Sequence, residues 1–329
     1  MDGVRAISIL LVLAGHLLPL SFRGVDGNSV AATAGMALFF VLSGYFVTRI
    51  LEQGVTTRDF LIRRMLRIVP LAYLFAIAVF VIFKPDLTAL RNTLLFTLNY
   101  TQGPYVWQTG HLWSLCVEMQ FYLAMAALYL ALGARAKWAI LIAPPCVTVL
   151  RVLSGDGWST FTHLRCDELL VGGVLYLATT GAYGDLSRIW RRLGPALPIL
   201  AIVFLITCSP DVPVAPLLRA WPAALVVGAV LSLRSGWILA ILESAPMAYI
   251  AKVSYAVYVV HLACASGPLA GGDKVLLYTV KRPISFALTF LIAHISTTYY
   301  EAFWNRLAHR MTQRRPAPAP VAQAAPEAA

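Results

Sequence analysis

The sequence predicts an all-α membrane protein, a polytopic bundle of about ten transmembrane helices, and three observations carry that reading. The 329 residues are 59% hydrophobic and only 12% charged, with a mean hydropathy of +0.74. A soluble domain is nearer to about a quarter charged. Apolar runs of roughly 16 to 25 residues recur along the chain, each close to the roughly 20 that a helix needs to cross a bilayer. Ten such runs use about 200 positions. That leaves no room for a second globular domain, a nucleotide-binding motor or a large exposed catalytic module.

In order, the runs lie at 4–20, 30–48, 68–83, 112–132, 138–153, 164–180, 195–208, 217–233, 253–270 and 283–300. The eighth is interrupted by Pro222, and 237–250 reads as an interfacial or re-entrant piece. With the N-terminus placed inside, the connections 49–67, 133–137, 181–194, 234–252 and 301 onward hold 16 Lys and Arg, against 7 in the opposite set. The positive-inside rule then puts both termini in the cytoplasm and makes the number of spans even. The first run is no signal peptide, because Asp2 offsets Arg5, no small-residue cleavage pattern follows directly, and further spans succeed it. We expect 1–302 to form the transmembrane domain. The remainder, 303–329, ends in Arg, Pro and Ala and is expected to be a disordered cytoplasmic tail.

The net charge of +11 belongs to this topology, since no basic patch with interleaved aromatics stands apart from the runs to suit a nucleic acid. The five cysteines are widely spaced and mostly sit inside apolar runs, so they read as small core hydrophobes. No His, Cys and carboxylate spacing suggests a metal site.

Ionisable residues inside apolar runs are costly, and they mark functional candidates. Arg5 and His16 are eleven residues apart, close to three helical turns, so they share one face about 16 Å apart along the axis. Taken alone, His16 would read as a hydrogen-bonded core histidine. The segment from Arg58 to Arg67 is rich in arginine, which topology by itself would explain. Arg64 and Arg67, however, are neighbours on a helix face and form a fork pair suited to phosphate oxygens. The stretch from His111 to Tyr122 enters the fourth run. Trp113 and Tyr122 alone would be interfacial aromatics, whereas Glu118 lies one or two turns inside and needs a partner, for which a histidine on a facing helix is a natural choice.

In these residues the chain resembles acyltransferase family 3, over residues 1 to about 302. The resemblance rests on Asp2-Gly3-Val4-Arg5-Ala6 with Gly15-His16, on Leu38 to Tyr45 with Ser43-Gly44, and on Arg64-Met65-Leu66-Arg67. Trp113-Ser114-Leu115 with Val117-Glu118 and Gln120-Phe121-Tyr122 adds to it, as do Arg165 with Glu168 and Gly172, and Ser254-Tyr255 with Tyr258 and His261. The chain departs from the pattern in Met119, where a second acidic residue is common, and in Phe303, where proline is frequent. It also begins one residue before the Asp-Gly pair, so an upstream start is expected, and a stand-alone acyltransferase without a fused esterase-like domain is expected.

The resemblance implies an O-acyltransferase of a bacterial inner membrane. It would move an acyl group, with acetyl expected, from cytoplasmic acyl-CoA to a hydroxyl of an extracytoplasmic carbohydrate or lipid-linked glycan. Acyl-CoA is then a substrate, and no tightly bound cofactor is expected. Arg5, Arg64 and Arg67 would bind the donor. His16 would be the general base, and Glu118 would orient it or touch the acceptor. His111, Trp113 and Tyr122 would line the acceptor mouth. Asp2, Ser43, Arg165, Glu168, Tyr255, Tyr258 and His261 would support the site, with Ser43-Gly44 read as a close helix contact and the tyrosines with His261 as one polar stripe. The competing expectations are an acyl-histidine intermediate, a proton-coupled exporter relaying protons between His16 and Glu118, and a non-catalytic membrane receptor.

Overall fold

The computed structural model describes residues 1–84, 86–101 and 106–312, with nothing said of the side chains at 187, 188 and 191. Among the described residues the chain is helical, apart from turns and one isolated antiparallel bridge between Phe22 and Val25. The helices of eleven residues or more are α1 (Asp2–Leu17), α2 (Gly27–Glu52), α3 (Thr57–Phe83), α4 (Trp113–Leu132), α5 (Ala136–Ser154) and α6 (Asp167–Thr179). They continue with α7 (Ser187–Thr207), α8 (Ala220–Ser232), α9 (Ala245–Cys264), α10 (Arg282–Ile295) and α11 (Ala302–Thr312).

Every expected apolar run falls on one of these helices. Five helical stretches are long and apolar enough to cross a membrane, namely Gly27–Glu52, Thr57–Phe83, Trp107–Ser154, Ala245–Cys264 and Lys274–Thr312. The expected count of about ten spans is not reached on that measure, because α1, α6 and α8 have only 16, 13 and 13 residues, the apolar part of α7 is limited to Arg192–Thr207, and Trp107–Ser154 takes α4 and α5 together. Two boundaries move as well. The arginine segment is not a loop but the first three turns of α3, begun where the Thr56 side chain accepts from the Asp59 N–H. The stretch 237–250 divides at Ser244, with Pro246 in the first turn of α9. Residues 302–312 are helical and pack on α3, so the folded chain runs past 302. The rest of the expected tail, 313–329, lies outside the described residues.

The centre of the bundle is α2, packed against α1 and α6. Glycine sets both distances. A Cβ on Gly44 would run into the Leu169 carbonyl of α6, and one on Gly172 would meet the Val41 carbonyl of α2. Each helix is thus seated against the other's backbone, as small residues allow in membrane bundles. Gly15 does the same for α1, where a Cβ would lie 2.5 Å from the Ala32 nitrogen of α2. Beyond Gly15, α1 stops. The Asn28 amide donates to the carbonyls of Gly15 (2.7 Å) and Leu18 (2.6 Å) and accepts from the N–H groups of Leu20 and Ser21. Orphaned groups of the α1 C-terminus are met this way. Asp26 caps α2 at its N-terminus, and the Ser29 donors hold its carboxyl below the usual range.

α9 lies across α1, α3 and α10. Pro70 interrupts α3, and hydroxyls from elsewhere serve the carbonyls around it: Tyr255 donates to Ile68 O (2.6 Å) and Tyr300 to Pro70 O (3.3 Å). The core of the bundle is lined by Val12, Leu13, Phe40, Val117, Tyr122 and Val257, all buried.

Candidate active site

α1 lines two cavities of similar size, one toward each of its ends. The first, about 460 Å³, is lined by Arg5, Arg63, Arg64 and Arg67, and by Ser43, Glu118, Tyr122 and Tyr255. Four arginines face one carboxylate there, so the cavity is strongly basic. The second, about 480 Å³, is lined by His16, His111, Arg165 and Tyr258 with Trp107, Trp113 and Trp158. A space of about 10 Å³ lies between them. It shares Phe39 and Ser254 with the basic cavity, and Val12, Met36 and Tyr258 with the histidine cavity. Arg5 and His16 thus stand at opposite ends of one path, as their shared helix face requires.

In the basic cavity Glu118 accepts short hydrogen bonds from the Ser43 and Tyr122 hydroxyls. Arg64 lies over the Tyr122 ring at 5.1 Å, and Arg5 over Phe46 at 5.3 Å with Asp2 3.4 Å away. Three expectations change here. Glu118 does not touch His16, because α4 carries it to the arginine end of the bundle. Tyr122, one turn further on, is buried beneath Arg64 and takes no part in the histidine cavity. Ser43 and Gly44 divide the role given to the pair: Gly44 makes the close helix contact, whereas Ser43 holds Glu118.

In the histidine cavity hydrogen bonds fix the imidazoles. His261 Nδ1 lies 2.7 Å from the Tyr258 carbonyl, which only accepts, so this nitrogen carries the proton. In a neutral ring Nε2 then holds the lone pair, and it lies 2.9 Å from His16 Nδ1. His16 must donate from Nδ1, which leaves its own Nε2 unprotonated in a residue that lines the cavity. That is the tautomer a general base needs. His111 donates from Nε2 to Val259 O (3.1 Å), and its ring lies 4.7 Å from that of His261. Tyr258 donates to His111 O (2.5 Å) and accepts from Ser114 (2.6 Å).

The stripe expected on α9 therefore runs the length of the path, with Tyr255 in the basic cavity, Tyr258 at the link and His261 behind His16. Arg165 lies over Trp113 at 5.5 Å, facing the histidine cavity, and its Nη1 is 3.6 Å from Glu168. Glu168 itself is wholly buried behind the wall and bonds Arg219 at 2.7 Å.

Sequence reasoning missed Arg151 and Arg219, both wholly buried. Arg151 pairs with Asp167 at 2.5 Å and donates to the carbonyls of Gly157 and Pro216. Arg151 lies inside an expected span, which was the available signal, whereas Arg219 counted as an ordinary loop cation. Trp107 and Trp158 were also missed, and so were Asn305 and His309, which line the basic cavity from the segment taken for tail. Among the described residues no group of three or more His, Cys, Asp or Glu is placed to hold a metal ion.

Residues 1–306 match the profile of the family 3 acyltransferase domain. The chain belongs to acyltransferase family 3. It is similar to the peptidoglycan O-acetyltransferase OatA of Listeria monocytogenes, at 26% identity over 356 residues, which cover 91% of this chain and 54% of the relative. It is also similar to YrhL of Bacillus subtilis, at 29% identity over 248 residues (63% and 38%), and to the O-acetyltransferase OatA of Staphylococcus aureus, at 29% over 214 residues (53% and 34%). The chain thus spans about half the length, or less, of the curated relatives it matches. No solved structure matches it. The profile takes in α1 to α10 and the start of α11, and with them the lining of the histidine cavity and most of that of the basic cavity, His309 lying beyond it.

Proposed function

We propose that this family 3 protein is a membrane O-acyltransferase whose basic cavity takes an acyl-CoA, acetyl-CoA first among them, and whose histidine cavity takes a carbohydrate hydroxyl. One observation carries the reading. Arg5 and His16, on one face of α1, open into two separate cavities joined by a narrow link. The donor's phosphates suit Arg64, Arg67 and Arg5, since arginine forks match phosphate oxygens. Its linear arm would part the link and bring the thioester to His16. The acceptor hydroxyl attacks the thioester carbonyl, its proton passes to His16 Nε2, the C–S bond breaks, and the thiolate leaves with that proton.

In this reading Glu118, held by Ser43 and Tyr122, orders the arginine cavity, and His261 positions His16. The tryptophans of the second cavity offer flat faces for a sugar ring. The Listeria monocytogenes relative is named for peptidoglycan O-acetylation, and a cell-wall glycan is the first acceptor to try. Ten crossings with both termini cytoplasmic would put the basic cavity on the side where acyl-CoA is made. The exporter reading needs His16 and Glu118 within proton-relay reach, and the structure puts them in different cavities.

The test is calorimetric titration of acetyl-CoA into the purified full chain in detergent, wild type beside Arg64→Ala with Arg67→Ala. Saturable binding, weakened about tenfold or more by the double substitution, is expected. A folded wild type that binds no acyl-CoA of any chain length overturns the donor assignment.

A further inference from the structure

The wall of the histidine cavity holds more positive charge than it neutralises. Arg151, Arg165 and Arg219 are buried together with only Asp167 and Glu168. Arg151 and Asp167 satisfy each other. Glu168 is left to two arginines through one oxygen, at 2.7 Å to Arg219 Nε and 3.6 Å to Arg165 Nη1. The nearby Asp156 is exposed and accepts from the Trp158 backbone N–H.

The excess cation falls on Arg165. It is 4% exposed and has a single long contact to a carboxylate, at 3.6 Å, whereas Arg151 and Arg219 hold theirs at 2.5 and 2.7 Å; guanidinium nitrogens without a hydrogen bond occur on all three among the described residues. It also lines the cavity, with its guanidinium over Trp113. A buried guanidinium without a matched anion is expensive, and its planar fork fits the two oxygens of a carboxylate or phosphate. His16 and His111 line the same cavity, and an imidazole is neutral or cationic. They supply no anion.

We propose that the histidine cavity selects an acceptor bearing an anionic group, a carboxylate or a phosphate, and seats that group on Arg165 beside Trp113. The anion supplies the charge that the wall lacks. This also registers the sugar, since an anchor on Arg165 and a ring on the tryptophans hold one hydroxyl toward His16. The proposal rests on the reading of this cavity as the acceptor site.

The test uses three oligosaccharides of matched length, one neutral, one carrying a uronate and one carrying a phosphate monoester. Each is titrated into the full chain in detergent, and acetyl transfer from acetyl-CoA is followed in parallel. The expected result is that one anionic glycan binds about tenfold more tightly than the neutral one, the worth of a charge-assisted hydrogen bond. The uronate and phosphate arms show which anion is meant. Arg165→Gln should bring the ratio near one, and Arg165→Lys, which keeps the charge but not the fork, should fall between. Removing Arg165 leaves two arginines for two carboxylates, so R165Q should still elute as a single species.

Equal binding of all three glycans by wild type, or a preference that survives in R165Q, overturns the proposal. So does the absence of binding by any of them. Acetyl transfer that does not distinguish neutral from anionic glycans would sink this inference while leaving the acyltransferase intact. A charge preference lost in R165Q, without transfer to any glycan, would do the reverse.

Discussion

His16 and His261 stand 245 residues apart in sequence and 2.9 Å apart in space, with their rings stacked at 5.1 Å. Because the Tyr258 carbonyl fixes the proton on His261 Nδ1, the pair has one arrangement when neutral, with the His16 base nitrogen turned free.

His261 is therefore a positioning residue. His261→Ala should lower the transfer kcat by about 10²-fold through misplacement of His16, and should shift the pH profile of kcat. His261→Gln, whose carbonyl can still accept from His16 Nδ1, should recover part of the loss. His16→Ala should cost on the order of 10² to 10⁴-fold and change acetyl-CoA affinity only about twofold, because the donor's phosphates would be held by the arginines of the other cavity. Steady-state kinetics with calorimetry checks both, and a His261→Ala enzyme with an unchanged pH profile would rule out the positioning role.

Glu118 accepts from two buried hydroxyls. Glu118→Ala should strand both and cost about 1–3 kcal/mol for each lost partner, read as a lower melting temperature. Glu118→Gln keeps an acceptor oxygen and removes the lone carboxylate from the arginine cavity, so it should melt near wild type and bind acetyl-CoA at least as tightly. Weaker donor binding in E118Q would show that the charge itself serves the donor.

The α2–α6 contact predicts an unequal response to one added methyl group. Gly44→Ala and Gly172→Ala force a side chain into backbone and should cost about 1–3 kcal/mol or more, seen as aggregation on size exclusion. Gly194→Ala meets nothing closer than 3.7 Å and should gain about 0.5–1 kcal/mol from helix propensity. Equal behaviour of the three would refute the packing account.

Arg151 is bound to Asp167 in a fully buried pair. Arg151→Met alone leaves a buried carboxylate and should cost about 3–5 kcal/mol, whereas the double change with Asp167→Asn should recover much of it. Thermal melts of the two singles and the double form the cycle that measures this coupling.

Much of this was legible in the sequence, because composition and period are local properties. Helix positions followed from apolar runs, and the shared face of Arg5 and His16 followed from their spacing. Arg64 and Arg67 fell on a helix as expected, and His111 with Trp113 came beside His16. What stayed hidden depends on which helices meet. Glu118 was paired with a histidine because both are buried polar groups, but no spacing in one chain reports that α4 turns Glu118 toward α3. The role of Arg219 appears only when α8 is laid against α6. The crossing count was hidden for a related reason: hydropathy marks an apolar run, but it does not report where the helix within that run begins and ends, and α6 has only 13 residues.

The link between the cavities has one more consequence, which is electrical. A space of about 10 Å³ is at the lower limit for a single water molecule, and Val12, Met36, Phe39 and Tyr258 close around it. Two deep water-accessible pockets thus approach one another without sharing a continuous file of water. On the proposed function a group is handed across a bilayer, which must not be discharged in the act, and the insulation would then be the packed waist of the bundle, to be breached only by a substrate narrow enough to fill it.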